Sequence, residues 1–220
     1  MEIARAAAGL FVRQGLRATR AEDIAQAAGI APRTFYRYFA TKEEAVAPLY
    51  SVGADRWTRA VHDAPAGLSV PEALEHAARH TLTPGAGVSA ASWEWARTLV
   101  RLATSSPALR KVWAEVCHET EGRLAEALRA RDAGSAPADG DAGDNAGGGS
   151  VADPDNVAEP VPTPSPGLQF AAAVAAASIR VAVETWAAGD APAQGPEGPA
   201  ALAMRNLGAL RDFPWEDVER

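Results

Sequence analysis

The residues best equipped to do chemistry crowd into one short stretch, Pro32-Arg33-Thr34-Phe35-Tyr36-Arg37-Tyr38, with Lys42 just beyond it. Two guanidinium groups, two phenols, a hydroxyl and an amine are all hydrogen-bond donors, the kind that grip phosphate oxygens and base edges. On a helix, Phe35 and Phe39 lie four apart and can anchor one face in a core, while Arg33, Thr34, Tyr36, Arg37 and Tyr38 keep their polar tips on the rest. A capped helical hairpin with an aromatic core would use the same residues, so this stretch by itself leaves open a nucleic-acid surface and a plain hairpin.

The other chemically suggestive sets are thinner. His76 and His80 lie four apart on a predicted helix and could share a metal, but no cysteine or third histidine is close in sequence. Cys117 and His118 could suggest a nucleophile and its base. Neighbours on a helix point about 100° apart, however, so a buried thiol is the better reading. Phosphate-binding glycine loops, dinucleotide glycine patterns and paired zinc motifs do not occur. No catalytic, metal or cofactor site is therefore expected, and the sequence reads as non-enzymatic. Trp93, Trp95, Trp113 and Trp186 suit a core. Such residues are more often plain core, but Trp93 and Trp113, with Cys117, could also line a small-molecule pocket, since such pockets are mostly apolar and aromatic.

The donor stretch needs elements to hold it. Thr19-Arg20-Ala21-Glu22 fits a capping box that starts a helix, and Ile24, Ala27 and Ala28 give that helix an apolar stripe. Gly29 suits a left-handed cap, and Pro32 suits the first position of a second helix. Two short helices across a tight turn form a helix-turn-helix, whose second member can enter a major groove. Ahead of it, Ile3, Ala7, Leu10 and Phe11 make an amphipathic helix. Thr41 can cap a further helix, in which Pro48 should produce a kink near residues 44–48. Helices are then predicted over 49–62, 70–82, 90–104 and 106–131, with Ser69 and Ser106 as caps and Pro71 and Pro107 in first turns. Leu109, Val112, Val116, Leu124 and Leu128 line one side of the 106–131 segment. Residues 132–166 hold no Lys, Arg, Leu, Ile or aromatic residue, and carry six Asp and one Glu among many Gly and Pro. That composition predicts a disordered insertion. Helices at 168–188 and 198–210 complete the chain.

The 220 residues and a hydrophobic fraction of 47% can build a sizeable core. One cysteine suits a reducing compartment, and no apolar run reads as long enough to cross a membrane, so the chain is read as cytoplasmic. The net charge is −7, yet residues 1–47 hold seven cations against five anions, a net of +2 that leaves −9 elsewhere. A basic head on an acidic body suits contact with nucleic acid.

Residues Ile3 to Val46 resemble the TetR/AcrR family of transcriptional regulators. Ala7-Ala8 and Leu10-Phe11, Gly15, Thr19, Ile24-Ala25, Ala28-Gly29-Ile30, Thr34-Phe35-Tyr36-Arg37-Tyr38-Phe39 and Lys42-Glu43 carry the match. Ala31 departs from it, standing where the family usually has Ser or Thr, so the second helix lacks a side-chain cap. The basic arm that often precedes the family's first helix has no counterpart before Met1. The resemblance implies an all-α fold of about nine helices, with a helix-turn-helix head at 1–47 and a dimerisation and effector body at 48–220. It also implies a homodimeric regulator, a repressor released by a small molecule, on a palindromic duplex operator. Arg33 and Tyr36 would read bases. Thr19, Thr34, Tyr38 and Lys42 would hold phosphates, with Arg20, Pro32 and Arg37 also at the DNA. Helices near 168–188 and 198–210 would meet their copies, and an apolar or aromatic effector would occupy the body. The rival readings are a helical protein-interaction module and, further off, a helical enzyme.

Overall fold

The computed structural model describes residues 1–85, 90–135 and 163–209. Among these it contains helices and no strand: α1 (Glu2–Gln14), α2 (Ala21–Ala27), α3 (Pro32–Tyr38), a short 3₁₀ turn (Glu44–Val46), α4 (Ala47–His62), α5 (Val70–Leu82), α6 (Ala90–Ser105), α7 (Pro107–Ser135), α8 (Pro166–Ala188) and α9 (Pro199–Gly208).

The helix starts follow local chemistry, with two corrections. The expected box from Thr19 to Glu22 is displaced by one residue: Arg20 is the cap, and its amide donates to the Asp23 carboxylate at 2.8 Å. Thr19 turns inward instead. Its hydroxyl donates to the Gly15 carbonyl at 2.9 Å and accepts from Gln14 Nε2 at 3.2 Å. The kink expected from Pro48 is also absent, because no continuous helix runs through it. The 3₁₀ turn ends first, and Pro48 falls in the opening turn of α4, where a missing amide hydrogen does no harm. Thr41 does cap, accepting from the Glu44 amide at 3.3 Å while Glu44 Oε2 takes the Ala40 amide at 2.9 Å. Ser69 and Ser106 open α5 and α7 as expected. Glu72 accepts the Ser69 amide, and the two bonds from Ser69 hold the Glu72 carboxyl below its usual range.

Three apolar clusters hold the molecule. The first joins Ala7, Phe11, Ile24, Phe35, Val46 and Tyr50 to Leu99, Ala103, Leu109, Val112 and Val116. The N-terminal helices therefore share a core with α6 and the first half of α7. The second joins Trp57, Val61 and Leu74 to Leu124, Leu128, the alanines of α8 and Leu207. The third sets Trp93 and Val100 against Trp186, with the Trp93 and Trp186 rings edge-on at 5.6 Å. Arg97, 5% exposed, lies 4.3 Å over the Trp186 ring and donates to the carbonyls of Gly189 and Ala191, so α6 holds the end of α8.

The acidic insertion is narrower than the composition implied. Helix α7 continues through residues 132–135, and Ser165 caps α8 by accepting the Leu168 amide at 3.2 Å. The expectation of disorder falls on residues 136–162, which lie outside the described ones, as does Leu210. A further correction concerns membranes. Helix α8 is 23 residues long and contains an 18-residue window of mean hydropathy 1.4, enough to span a bilayer by length and composition. One side of it packs on α7 and α9, and its Arg180 pairs with Glu184 at 3.2 Å.

Candidate nucleic-acid interface and the cavity behind it

The turn between α2 and α3 depends on Gly29, whose φ of 68° lies in the left-handed region that a side chain disfavours. Ala31 then sits extended at the start of α3 and offers no side-chain cap, and Pro32 takes the first turn. Phe35 is fully buried and packs on Phe39, ring centroids 5.4 Å apart. That anchor turns the other face of α3 outward, where Arg33, Tyr36, Arg37 and Tyr38 are exposed and Thr34 is half-buried. Arg33 has no side-chain partner among the described residues. Tyr36 donates to Glu22 Oε1 at 3.3 Å; partial desolvation and that carboxylate raise its pKa above the ordinary phenol value. The Arg37 guanidinium lies 5.0 Å over the Tyr38 ring and donates to its hydroxyl at 3.2 Å. Pro32 and Arg20 are exposed beside this face, and Arg20 stands 3.7 Å from Glu22.

Two residues expected at phosphates are engaged elsewhere. Thr19 is 1% exposed, its hydroxyl turned into the α1–α2 corner. Lys42 is half-buried, and its amine donates to the carbonyls of Leu16 at 2.7 Å and Thr19 at 2.8 Å. Both side chains fasten the head internally. Reach and exposure separate the two groups: side chains on α3 have no carbonyl to seek, whereas the α1–α2 loop leaves several carbonyls free of helix partners.

Behind the head, α1, α4, α5, α6, α7 and α8 line an open cavity of about 500 Å³. Trp93, Trp113 and Cys117 all line it, brought together from α6 and α7. Tyr50 packs edge-on against Trp113 at 5.2 Å and donates to the Leu99 carbonyl at 3.3 Å; burial pushes its phenol up. The Trp113 indole donates to Glu184 at 2.6 Å, fixing its ring against α8. Burial pushes the Cys117 thiol up to about 12, so it stays neutral and weakly nucleophilic. His118 instead faces Glu121 at 3.3 Å, on the exposed side of α7. His76 and His80 stack nearly parallel at 6.5 Å and are exposed, and no group of three metal-capable side chains forms among the described residues. Tyr50, Arg5, Arg56 and Glu184 were missed in the sequence. The residues lining the cavity from α1 and α4 belong to helices whose periodicity reports only their own core face.

The sequence model described as "Bacterial regulatory proteins, tetR family" matches residues 3–47. The HTH-type transcriptional regulator TcmR of Streptomyces glaucescens is 32% identical over 133 residues, 60% of this chain. The match spans only 59% of that relative's length. The HTH-type transcriptional repressor KstR2 of Mycobacterium tuberculosis is 48% identical over 48 residues, 22% of this chain and 24% of its own. Among solved structures, Thermus thermophilus FadR, described as a TetR-family repressor in complex with lauroyl-CoA, superposes with a TM-score of 0.51. It is 20% identical, with 95% of this chain and 91% of that one covered, a likeness of fold. Residues 3–47 thus match the tetR family of bacterial regulatory proteins, and the helices that follow share the fold of a solved TetR-family repressor.

Proposed function

We propose that this chain is a cytoplasmic transcriptional regulator that binds a palindromic operator as a homodimer and is released by a small molecule held in the body. The observation that carries the reading is the outward face of α3, where Arg33, without a partner among the described residues, and an exposed Tyr36 stand on a helix fixed by the buried Phe35. Arg33 and Tyr36 read bases; Arg33 suits a guanine edge, to which a guanidinium donates twice. Arg20, Thr34, Arg37 and Tyr38 meet phosphates and set register, with Pro32 packed beside the backbone. Thr19 and Lys42 support these contacts from within the head.

Helix α8 supports the dimer. Only 33% of its most apolar window is buried, and Phe170 and Val181, 56% and 44% exposed, fall on its outer side. Such a face calls for cover, and a second copy supplies it symmetrically. Helix α9 contributes less than its sequence implied, because Leu207 is buried against α5 and α8 of its own chain. Two heads about one DNA turn apart, roughly 34–36 Å, would fit successive major grooves. A ligand that prefers another head spacing would shift the population away from DNA.

Selection of bound sequences from a random duplex pool tests the reading. A palindromic consensus, with affinity falling steeply as salt rises, is the expected result. Retention of no sequence, or binding insensitive to salt, would refute it and favour a protein partner.

A further inference from the structure

The cavity has two unlike regions. Its interior is aromatic, with Tyr50, Trp93 and Trp113 against it. Its solvent edge carries Arg5 of α1 and Arg56 of α4, both exposed and neither with a side-chain partner among the described residues. The third guanidinium on the lining, Arg180, is already neutralised by Glu184 at 3.2 Å. Glu121 is the one carboxylate among the lining residues, and His118 faces it at 3.3 Å. Two uncompensated cations therefore border an apolar cavity in a chain whose net charge is −7.

Building on the proposed effector site, we propose that the ligand is an anionic amphiphile. Its flat or chain-like apolar body lies against Trp93 and Trp113, and its acidic group is held by Arg5 and Arg56. Because Arg5 belongs to the first helix of the head and Arg56 to the helix that enters the body, one anion touches both. Ligand charge thereby bears on the placement of the head, and a neutral molecule of the same shape fills the cavity without that link.

A pair of fluorescent probes with the same ring system tests this on the full chain. 1-Anilinonaphthalene-8-sulfonate carries an anion, and N-phenyl-1-naphthylamine lacks it. Both should bind at one per chain and compete with each other. Arg5→Gln and Arg56→Gln should each weaken the sulfonate probe about threefold to fivefold, as for a solvent-edge ion pair, and leave the neutral probe unchanged. Added salt should weaken only the sulfonate probe. Trp113→Ala should weaken both. Thermal melts of the two arginine variants should match the parent chain, since both side chains are exposed. If both probes bind and neither arginine variant separates them, the anionic inference is wrong while the cavity stands. If neither probe binds, or Trp113→Ala leaves both unchanged, the effector reading of the cavity fails as well.

Discussion

Lys42 offers the sharpest test of how the head works, because its family position suggests a phosphate contact and its geometry a clamp. Its amine donates to the Leu16 carbonyl at 2.7 Å and the Thr19 carbonyl at 2.8 Å, across a loop 23 to 26 residues away in sequence. Lys42→Met keeps the aliphatic stem and removes both bonds. Charge-assisted hydrogen bonds contribute about 1.5–3 kcal/mol each. The amine is half-buried, so water replaces part of what is lost and the lower value applies, giving about 3 kcal/mol for the two. Freeing the side chain returns up to about 1 kcal/mol of rotamer entropy. A net loss of about 2 kcal/mol remains, and a chain of this size shifts by about 2–4 °C per kcal/mol, so the melting temperature should fall by about 4–8 °C. Thermal denaturation followed by circular dichroism measures this, and operator titrations at several salt concentrations measure the alternative. A Lys42→Met chain that melts with the parent, yet binds all duplexes more weakly with a salt slope smaller by about one, would refute the clamp and place the amine on a phosphate.

Arg33→Ala should weaken the selected operator by about 1–3 kcal/mol and relax preference at one position per half-site, seen by titrating operator and random duplex side by side. Equal weakening on both would remove Arg33 from base reading. Val181→Arg should give monomers by light scattering with an unchanged helical spectrum, whereas Leu207→Glu should lower the melting temperature sharply by placing a charge in the body core. A persistent dimer in Val181→Arg would move the interface off α8. Cys117 should react slowly with a disulfide reagent at pH 8 in the folded chain and quickly in urea. Its thiol is raised in the fold, so the stability it contributes is full below about pH 9 and is lost as the pH rises toward about 12. Fast native labelling would contradict its burial.

How far the sequence spoke depends on whether the deciding force is local. The bounds of α5 were legible to the residue, because Ser69, Glu72 and Pro71 settle its start within one turn. The missing cap at Ala31 was legible for the same reason. Thr19 was misread because a hydroxyl beside a helix start can cap forward or bond backward. The choice fell to Gly15 and Gln14, placed by the end of α1. Pro48 was misread because a proline pattern does not reveal whether a 3₁₀ turn has already interrupted the helix. Leu207 looked like an interface residue since an apolar stripe does not say which neighbour covers it. Trp93, Trp113 and Cys117 were legible as pocket lining through composition alone. Arg5 and Arg56 were not, because only the docking of α1 beside α4 brings them to one cavity.

Helix α7 is 29 residues long, so at about 1.5 Å per residue it is a rod of about 43 Å. Its Leu109, Val112 and Val116 belong to the cluster beneath α1 to α3, while its Leu124 and Leu128 belong to the cluster around α8. One unbroken ladder of backbone hydrogen bonds thus passes through both. The amides near its middle can exchange with solvent only when the ladder opens, so their protection should approach that of the whole molecule. A fragment of residues 1–47 alone would lack Tyr50, Leu99, Ala103, Leu109, Val112 and Val116, which share a cluster with Phe11, Ile24 and Val46. No packing boundary falls near residue 47, since one apolar cluster runs across it from α1 to α7.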